Sequence, residues 1–455
     1  MADAYDVIVI GGGPGGYVAA IRAAQLGRKT AVVERDKPGG RCLNYACIPA
    51  KTMLYTAEIY DHARNGAAYG INADGASLDW KALGERRTKV SNGLSDGVKF
   101  LWDKNKVATI EGAGSLTADS NVEVGGTTYE AGSVILATGS VALPIPGAEF
   151  GARVVDTWGA WSLPELPKRI AVVGAGASGA EIASAYARYG TEVTLIEMLE
   201  QILPAEDKDV ARVVERTFKK QNITISTGTP VESVEAGSSS VKVTYGGAET
   251  EVDYLCIAGG RAPDTEPLNL DAAGVEIEEG GKIKVDEYCQ TSNPNVYAIG
   301  DLVGHKALAH KASEEGVVAV ERASGVETHP VDENLVAGAT FCHPQVASVG
   351  ITEAQARESG RDVKVGRFKL GGVGAAAVYD DRDGLVKIVA DSEYGEILGA
   401  HVVGNRACDM ISELVDTMAL EGGYQELGRI VHPHPTISEA VLDAARAVDG
   451  WAIHG

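Results

Sequence analysis

The sequence predicts an α/β chain, with two Rossmann-like dinucleotide-binding domains followed by a C-terminal α+β domain, from three observations. A buried-type strand, a glycine turn, an Ala-rich helix and a second strand ending in an acid follow one another over residues 5–34. The same series returns over residues 169–197. From about residue 338 it gives way to alternating strands and helices with no further glycine fingerprint. A chain of 455 residues has room for about three domains of ~150 residues, each with ample core.

In the first series Asp6-Val7-Ile8-Val9-Ile10 runs into Gly11-Gly12-Gly13-Pro14-Gly15-Gly16 and then a helix. Gly11, Gly13 and Gly16 have the spacing at which backbone N–H groups of a helix start face a pyrophosphate. Thr30-Ala31-Val32-Val33-Glu34 supplies the next strand, with Glu34 placed to accept hydrogen bonds from an adenosine ribose. A lone glycine triplet is a weak signal; this context makes it a strong one. In the second series Gly174, Gly176 and Gly179 follow the strand, and Glu197 ends the next. The acid lies 23 positions after the first glycine in both copies, so the chain is expected to bind two dinucleotides. The second site should prefer NAD to NADP. Glu197 repels a 2′-phosphate, and Met198-Leu199-Glu200 offers no Arg to neutralise one.

Cys42 and Cys47, with four residues between them, follow the first fingerprint, which places a dithiol within reach of whatever the glycine turn holds. Electron transfer is the leading reading. A structural disulfide is the alternative, but such bridges are rare in reducing compartments and no secretion signal is visible. A zinc site would need two further ligands at metal spacing, and no second close Cys or His pair lies nearby, so no metal is expected. The cysteines at 256, 289, 342 and 408 read as small buried apolar residues.

Residues 51–65 and 78–101 read as helical, with Gly66 as a stop for the first. Residues 133–136 form a buried strand ending in Thr138-Gly139-Ser140, a small-residue turn open to a cofactor. Tyr254-Leu255-Cys256-Ile257 closes the second series before Gly259 and Gly260. Asp301 stands at the end of another strand, either holding a polyol hydroxyl or capping the helix that begins near Ala309. Glu181, early in the helix after Gly179, fits either an ordinary helix-start acid or a functional one. The last third is expected to form an antiparallel sheet with helices on one face, suited to an interface. It carries His432-Pro433-His434-Pro435-Thr436-Ile437-Ser438-Glu439, in which Pro435 fits a helix start and Glu439 can reach back to His434. A thiol reaction near neutral pH needs a base, and His is suited to that; a lone His before a helix is more often structural.

A net charge of −22 excludes a general affinity for nucleic acid or anionic membranes, which demand a basic footprint. No apolar stretch approaches the ~20 residues of a membrane span. Met1-Ala2-Asp3-Ala4-Tyr5-Asp6 runs straight into a strand with no leader, so a prokaryotic cytoplasm, or an organelle protein already processed, is expected.

Taken together these residues resemble the pyridine nucleotide-disulfide oxidoreductase family over essentially the whole chain. The most specific pieces are Cys42-Leu43-Asn44-x-x-Cys47-Ile48-Pro49, Ala298-Ile299-Gly300-Asp301, Leu308-Ala309-His310-Lys311-Ala312 and His434-Pro435-Thr436-x-Ser438-Glu439. The resemblance implies a homodimer whose active site is completed across the subunit interface. Residues 1–145 would form the FAD-binding domain with the redox disulfide, and 146–266 the NAD-binding domain. Residues 267–337 would complete the FAD domain, and 338–455 would be the dimerisation domain. It is closest to members that oxidise dihydrolipoyl groups through a disulfide and FAD, with hydride passing to NAD⁺.

Cys42 would then be the interchange thiol, Cys47 the thiol against the flavin, and His434 the acid/base from the other subunit, oriented by Glu439. Lys51 would lie near the flavin, paired with Glu181. Glu34, Thr138, Gly139 and Asp301 would contact FAD, and Gly114, Ala309 and Gly260 are likewise expected at the cofactors. A helix start and a nearby His⁺ would lower a cysteine pKa from ~8.5 toward neutrality. The implied partner is a lipoyl-bearing protein or dihydrolipoamide, with a basic peripheral-subunit-binding segment of an acyltransferase core as a docking partner. Relatives usually carry Thr, an aliphatic residue, Gly and Ser where this chain has Arg41, Tyr45, Ala46 and Ala50. Ser178 and the segment 369–377 also depart from the usual pattern. Other readings are a reductase of a low-molecular-weight disulfide, a disulfide-independent NADH oxidase or quinone reductase, and a non-catalytic docking flavoprotein. Glu197 argues against the first, and retention of Cys42, Cys47, His434 and Glu439 together against the last.

Overall fold

The computed structural model describes residues 4–73 and 75–454. The chain falls into two compact units. One takes the chain up to Thr52, Ala82–Leu143 and Gly260–Glu333; the other takes Met53–Lys81, Pro144–Gly259 and the chain from Asn334.

The first unit is built on the strand Ala4–Ile10, whose last four residues are buried and apolar. It pairs in parallel with Thr30–Glu34 on one side and Thr127–Leu136 on the other. Ala108–Glu111 and Val296–Ala298 extend this parallel core, and two short antiparallel strands, Gly114–Leu116 and Val122–Val124, add to it. Such near-continuous apolar strands suit a parallel sheet covered on both faces. Helix Pro14–Gln25 packs on helix Ala309–Ala323 through glycine: a Cβ on Gly316 would meet the Gly15 carbonyl oxygen at 2.6 Å.

The second unit repeats the design. Arg169–Val173 lies between the parallel strands Glu192–Ile196 and Tyr254–Ile257, and Thr224–Ser226 and Val154–Val155 close the sheet. The two copies agree in detail. Gly11 and Gly174 have φ of +107° and +94°, a region L side chains avoid. A Cβ on Gly16 or Gly179 would stand 1.8 Å from the carbonyl oxygen of Gly11 or Gly174, so each helix begins flush against its strand.

The same unit holds a five-stranded antiparallel sheet ordered Gly338–Thr340, Gln345–Gly350, Ile397–Gly404, Leu385–Asp391, Val363–Lys369. Helices Ala407–Ala419 and Glu439–Ala447 cover one face, around Val386, Ile388, Val402, Leu414 and Val441. The expectation of helices on one face only is corrected. The two central strands are buried on both sides, and helices Glu353–Glu358 and Lys208–Lys220 pack against the sheet as well. Lys387 pins that second face. Its side chain is 3 % exposed, and its Nζ donates to both oxygens of Asp207 at 2.8 and 2.9 Å and to Asp209 at 2.8 Å. Glu353 lies 2.9 Å from the same Nζ. Asp207 caps helix Lys208–Lys220, accepting from the Asp209 N–H.

The helix expected over 51–65 starts earlier, at Cys47, and ends at Arg64; the one expected over 78–101 is Trp80–Lys104. Pro435 does not start a helix. It follows a cis bond in a turn, and the helix begins four residues later at Glu439, where Ser438 is the N-cap. Cys256, Cys289 and Cys342 are buried as expected, whereas Cys408 is half-buried, its Sγ against the carbonyl oxygens of Thr340 and Val346.

Two outcomes follow for stability. Gly179→Ala should destabilise the second unit by about 3 kcal/mol because backbone must move. Gly176→Ala should cost no more than about 1 kcal/mol, since nothing lies within 4 Å of its Cβ position and its φ is −69°. Denaturant midpoints of the two variants check this contrast. Lys387→Met should destabilise by about 3–5 kcal/mol, because it strands the buried Asp207 carboxylate. Burial pushes the Asp207 carboxyl up, but the bonds from Lys387 and the Asp209 N–H outweigh it and hold the pKa below its ordinary value. Burial opposes Lys387's charge, but its carboxylate partners raise its pKa. Asp207 therefore contributes stability above its unfolded pKa near ~3.9 that is lost as pH falls through the folded value; Lys387 contributes below ~10.4 and loses it as pH rises through its own. The gap between wild type and Lys387→Met, followed by unfolding across pH, should stay flat near neutrality and shrink in acid.

Candidate functional site

The first glycine turn is fastened to the strand beside it by a carboxylate. Glu34 Oε2 accepts the Gly12 N–H at 2.7 Å and its Oε1 accepts the Asp36 N–H at 2.8 Å. Burial pushes the Glu34 carboxyl up, partly offset by these backbone donors. The second turn has the same arrangement: Glu197 Oε2 accepts the Ala175 N–H at 2.7 Å and Oε1 the Leu199 N–H at 2.9 Å. Gly13 and Gly176, the residues before the two helices, have open space where a Cβ would stand. A cleared helix start beside a strand-end carboxylate is the cradle a dinucleotide needs. The residues present therefore fit two such cofactors. Beyond Glu197, Met198 and Leu199 are exposed.

The dithiol sits against the first turn. Gly39 N–H donates to the Gly12 carbonyl at 2.8 Å, and a Cβ on Gly40 would stand 2.6 Å from Gly13 Cα. Gly39 and Gly40 both have positive φ, and from them the short helix Gly40–Asn44 carries Cys42. Asn44 Nδ2 donates back to Pro38 and Gly40 carbonyls at 3.1 and 2.9 Å, and Ser95 Oγ donates to Pro38 at 2.7 Å. Cys47 opens the helix Cys47–Arg64, which also carries Lys51. Both cysteines are half-buried thiols in hydrogen-bond contact. Cys42 is pushed well above its ordinary pKa by that bond first and by burial second, while Lys51 pulls the other way. Tyr17, which the sequence did not mark, lies near Cys42; burial and then that thiol raise its pKa.

The other residues expected at the first cofactor are placed by a small polar network. Asp301 follows the strand Val296–Ala298, and its carboxylate accepts from the Ser140 hydroxyl. Ser140 Oγ in turn accepts from Arg261 Nε at 2.7 Å. Gly300 N–H donates to Glu315 Oε2 at 2.8 Å, and Glu315 pairs with the buried Lys311 on the helix that begins at Ala309. Thr138 Oγ1 donates to the Asp264 carbonyl at 2.7 Å, and Gly139 has φ +80°. Gly114 lies in a buried strand against Ile10 and Val33. Gly260, with φ +153°, falls in the first unit, beside the strand Arg261–Pro263. Ser140, Arg261 and Glu315 carry no spacing signature; only Lys311, inside a recognised motif, was legible.

In the second unit Glu181 is buried on helix Ala177–Tyr189, and its Oε1 accepts the Phe341 N–H at 2.9 Å. His434 Nδ1 lies 2.9 Å from Glu439 Oε1, and Glu439 Oε2 accepts the Thr436 N–H at 2.9 Å. Burial opposes the Glu439 charge, but the Thr436 donor and His434 outweigh it and hold its pKa low. The imidazole is 73 % exposed, held at Nδ1 and not by Glu439 at Nε2. The loop is fixed a second time at His432, whose Nε2 meets Glu413 at 2.5 Å and whose Nδ1 meets the Ile430 carbonyl. The departing segment 369–377 adjoins this base: a Cβ on Gly374 would lie 3.9 Å from His434 Cε1. Among the described residues no cluster of metal ligands is found, and no helix is long and apolar enough to cross a membrane.

Comparison with known proteins gives a consistent result. The chain is 40 % identical to a dihydrolipoyl dehydrogenase of Bacillus subtilis, over all of both chains, and 41 % identical to one of Rhizobium etli, over 98 % of each. Among solved structures, LpdA of Mycobacterium tuberculosis superposes with a TM-score of 0.91 at 27 % identity, covering 97 % of this chain and 99 % of that one. The HOCl-induced flavoprotein disulfide reductase RclA of Escherichia coli superposes at 0.87 and 27 % identity, covering 97 % and 99 %. The family model described as pyridine nucleotide-disulphide oxidoreductase matches residues 5–316, and that of its dimerisation domain matches 336–445. With two carboxylate-fastened glycine turns, one of them beside a dithiol, the chain belongs to the pyridine nucleotide-disulphide oxidoreductase family.

Proposed function

We propose that the protein oxidises dihydrolipoyl groups to lipoyl groups with NAD⁺ as acceptor, as the flavoprotein component of a 2-oxoacid dehydrogenase or glycine cleavage complex in the cytoplasm. The observation that carries this is the Cys42–Cys47 pair seated directly against a glycine turn, through the Gly39 to Gly12 hydrogen bond. The cofactors are FAD and NAD. Residues 1–145 and 267–337 would hold FAD, through Gly11, Gly13, Gly16, Glu34, Thr138, Gly139 and Asp301. Residues 146–266 would hold NAD, through Gly174, Gly176, Gly179 and Glu197, and 338–455 would form the homodimer contact. FAD, when bound, supplies two-electron transfer between the dithiol and NAD⁺.

The chain's own residues perform the thiol exchange. A dihydrolipoyl thiolate attacks Cys42 of the Cys42–Cys47 disulfide; the S–S bond breaks, a mixed disulfide forms on Cys42, and Cys47 leaves as thiolate. His434, contributed by the second subunit and held at Nδ1 by Glu439, takes the proton from the remaining lipoyl thiol at Nε2. That sulfur closes the lipoyl disulfide and releases Cys42. Lys51 is assigned to the flavin side. The acidic chain, at −22, suits a basic peripheral-subunit-binding segment on an acyltransferase core.

NADH formation from dihydrolipoamide and NAD⁺ by the purified holoenzyme should be rapid, should be far slower with NADP⁺, and should fall to background in Cys42→Ser with FAD retained. NADH oxidation by oxygen or a quinone that survives Cys42→Ser, with no lipoyl turnover, would point instead to an NADH oxidase or quinone reductase. A reducible pair that ignores dihydrolipoamide would point to another disulfide, and a wild-type protein that turns over nothing to a docking subunit. His434→Gln should lower kcat by about 10²–10⁴-fold while FAD content, read from absorbance, stays unchanged.

A further inference from the structure

Tyr45 stands between the two thiols, where relatives usually carry an aliphatic residue, and the exchange chemistry leaves it without a role. Cys42 rides on the helix Gly40–Asn44 and Cys47 opens the next helix, so Tyr45 and Ala46 alone join the two. Tyr45 leaves helical geometry, with φ −135° and ψ −10°, and its N–H and that of Ala46 donate to the Arg41 carbonyl at 2.7 and 2.9 Å. The backbone of the joint is thus tied to the first helix. Its side chain is tied elsewhere: Tyr45 OH donates to Asp36 Oδ2 at 2.6 Å. Asp36 is itself anchored, its N–H on Glu34 Oε1 at 2.8 Å, and Glu34 holds Gly12. Lys37 Nζ lies 5.9 Å from the Tyr45 ring centre. Burial, then the bond to Asp36, pushes the phenol up to about 12, so it remains a donor at any physiological pH.

We propose that Tyr45 is a positioning residue for the dithiol, its phenol holding the interthiol joint to Asp36 so that Cys42 and Cys47 stay within bonding range of each other. This rests on the redox reading of the pair. A disulfide needs Cβ atoms about 3.5–4.5 Å apart. Two thiols on separate helices keep that spacing only as well as the joint is held. A tether acts more on the open dithiol than on the disulfide, which is already closed by its own bond. Removing the tether therefore gives freedom chiefly to the dithiol, lowers the effective concentration of one thiol at the other, and favours the reduced pair.

The test is thiol exchange with dithiothreitol. Reduced dithiothreitol gives two electrons and two protons to the pair, the Cys42–Cys47 bond breaks, and the ring disulfide of oxidised dithiothreitol forms. Holoenzyme is equilibrated without NAD⁺ over a range of oxidised-to-reduced ratios, quenched in acid, alkylated, and the state of Cys42 and Cys47 read by mass spectrometry. Tyr45→Phe keeps the ring and loses only the hydroxyl. It should need a ratio about three to ten times more oxidising to reach half disulfide, where tenfold is ~30 mV. Asp36→Ala should shift the equilibrium by a similar factor, the double variant no further than either single one, and Asp36→Asn, which keeps an acceptor, should remain near wild type. Tyr45→Phe within twofold of wild type would overturn the proposal, as would a shift in Tyr45→Phe that Asp36→Ala fails to reproduce. A wild-type pair that never closes would overturn the redox reading with it.

Discussion

The rest of the structure depends on one constraint: a helix must begin flush against a parallel strand and still leave its first N–H groups facing outward. Only glycine at positions 16 and 179 permits the approach, because any Cβ would stand inside the first turn's carbonyl. The carboxylates of Glu34 and Glu197 then take up the N–H groups of residues 12 and 175, which the sharp turn would leave without partners. The same solution occurs twice, with Gly13 and Gly176 at matching φ of −69°, so both turns share one backbone geometry, each fastened by one carboxylate.

The two cradles differ in what was built beside them. The first has a dithiol segment laid across its glycine turn, with Gly40 so close to Gly13 that the two backbones touch. The second has Met198 and Leu199 open to solvent beyond its acid. A thiol pair is thereby tied to one turn, while the side chains beyond the other stay open to solvent.

The repeat was legible because its signal is local: strand period, glycine spacing and a strand-end acid all lie within about thirty residues, the length of one βαβ unit. The dithiol and the His434–Glu439 contact were legible for the same reason. What escaped depends on long-range packing. Nothing near Lys387 announces that Asp207, far earlier in the chain, will meet it, so the second covered face of the antiparallel sheet was missed. Pro435 has the residue type of a helix start, yet the helix waits for Ser438 and Glu439, since Glu439 is occupied with holding Thr436 and His434. Ser140 and Arg261, which reach Asp301, are ordinary turn residues in sequence and become a network only when strand Arg261–Pro263 pairs with Ser140–Ala142.

The Lys387–Asp207 contact bears on how such a chain can be rebuilt. Helix Lys208–Lys220 belongs by sequence to the second dinucleotide series, but its cap is held by a lysine of the antiparallel sheet, and Arg367 reaches Asp209 and Glu353 beside it. A nucleotide-binding segment grafted from a relative to change coenzyme preference would bring its own residue at 207 into a socket shaped for this one. The natural seam for such a chimera therefore runs around the sheet and not between the glycine repeat and the sheet, and recombination that ignores this would separate two charges that neither half can bury alone.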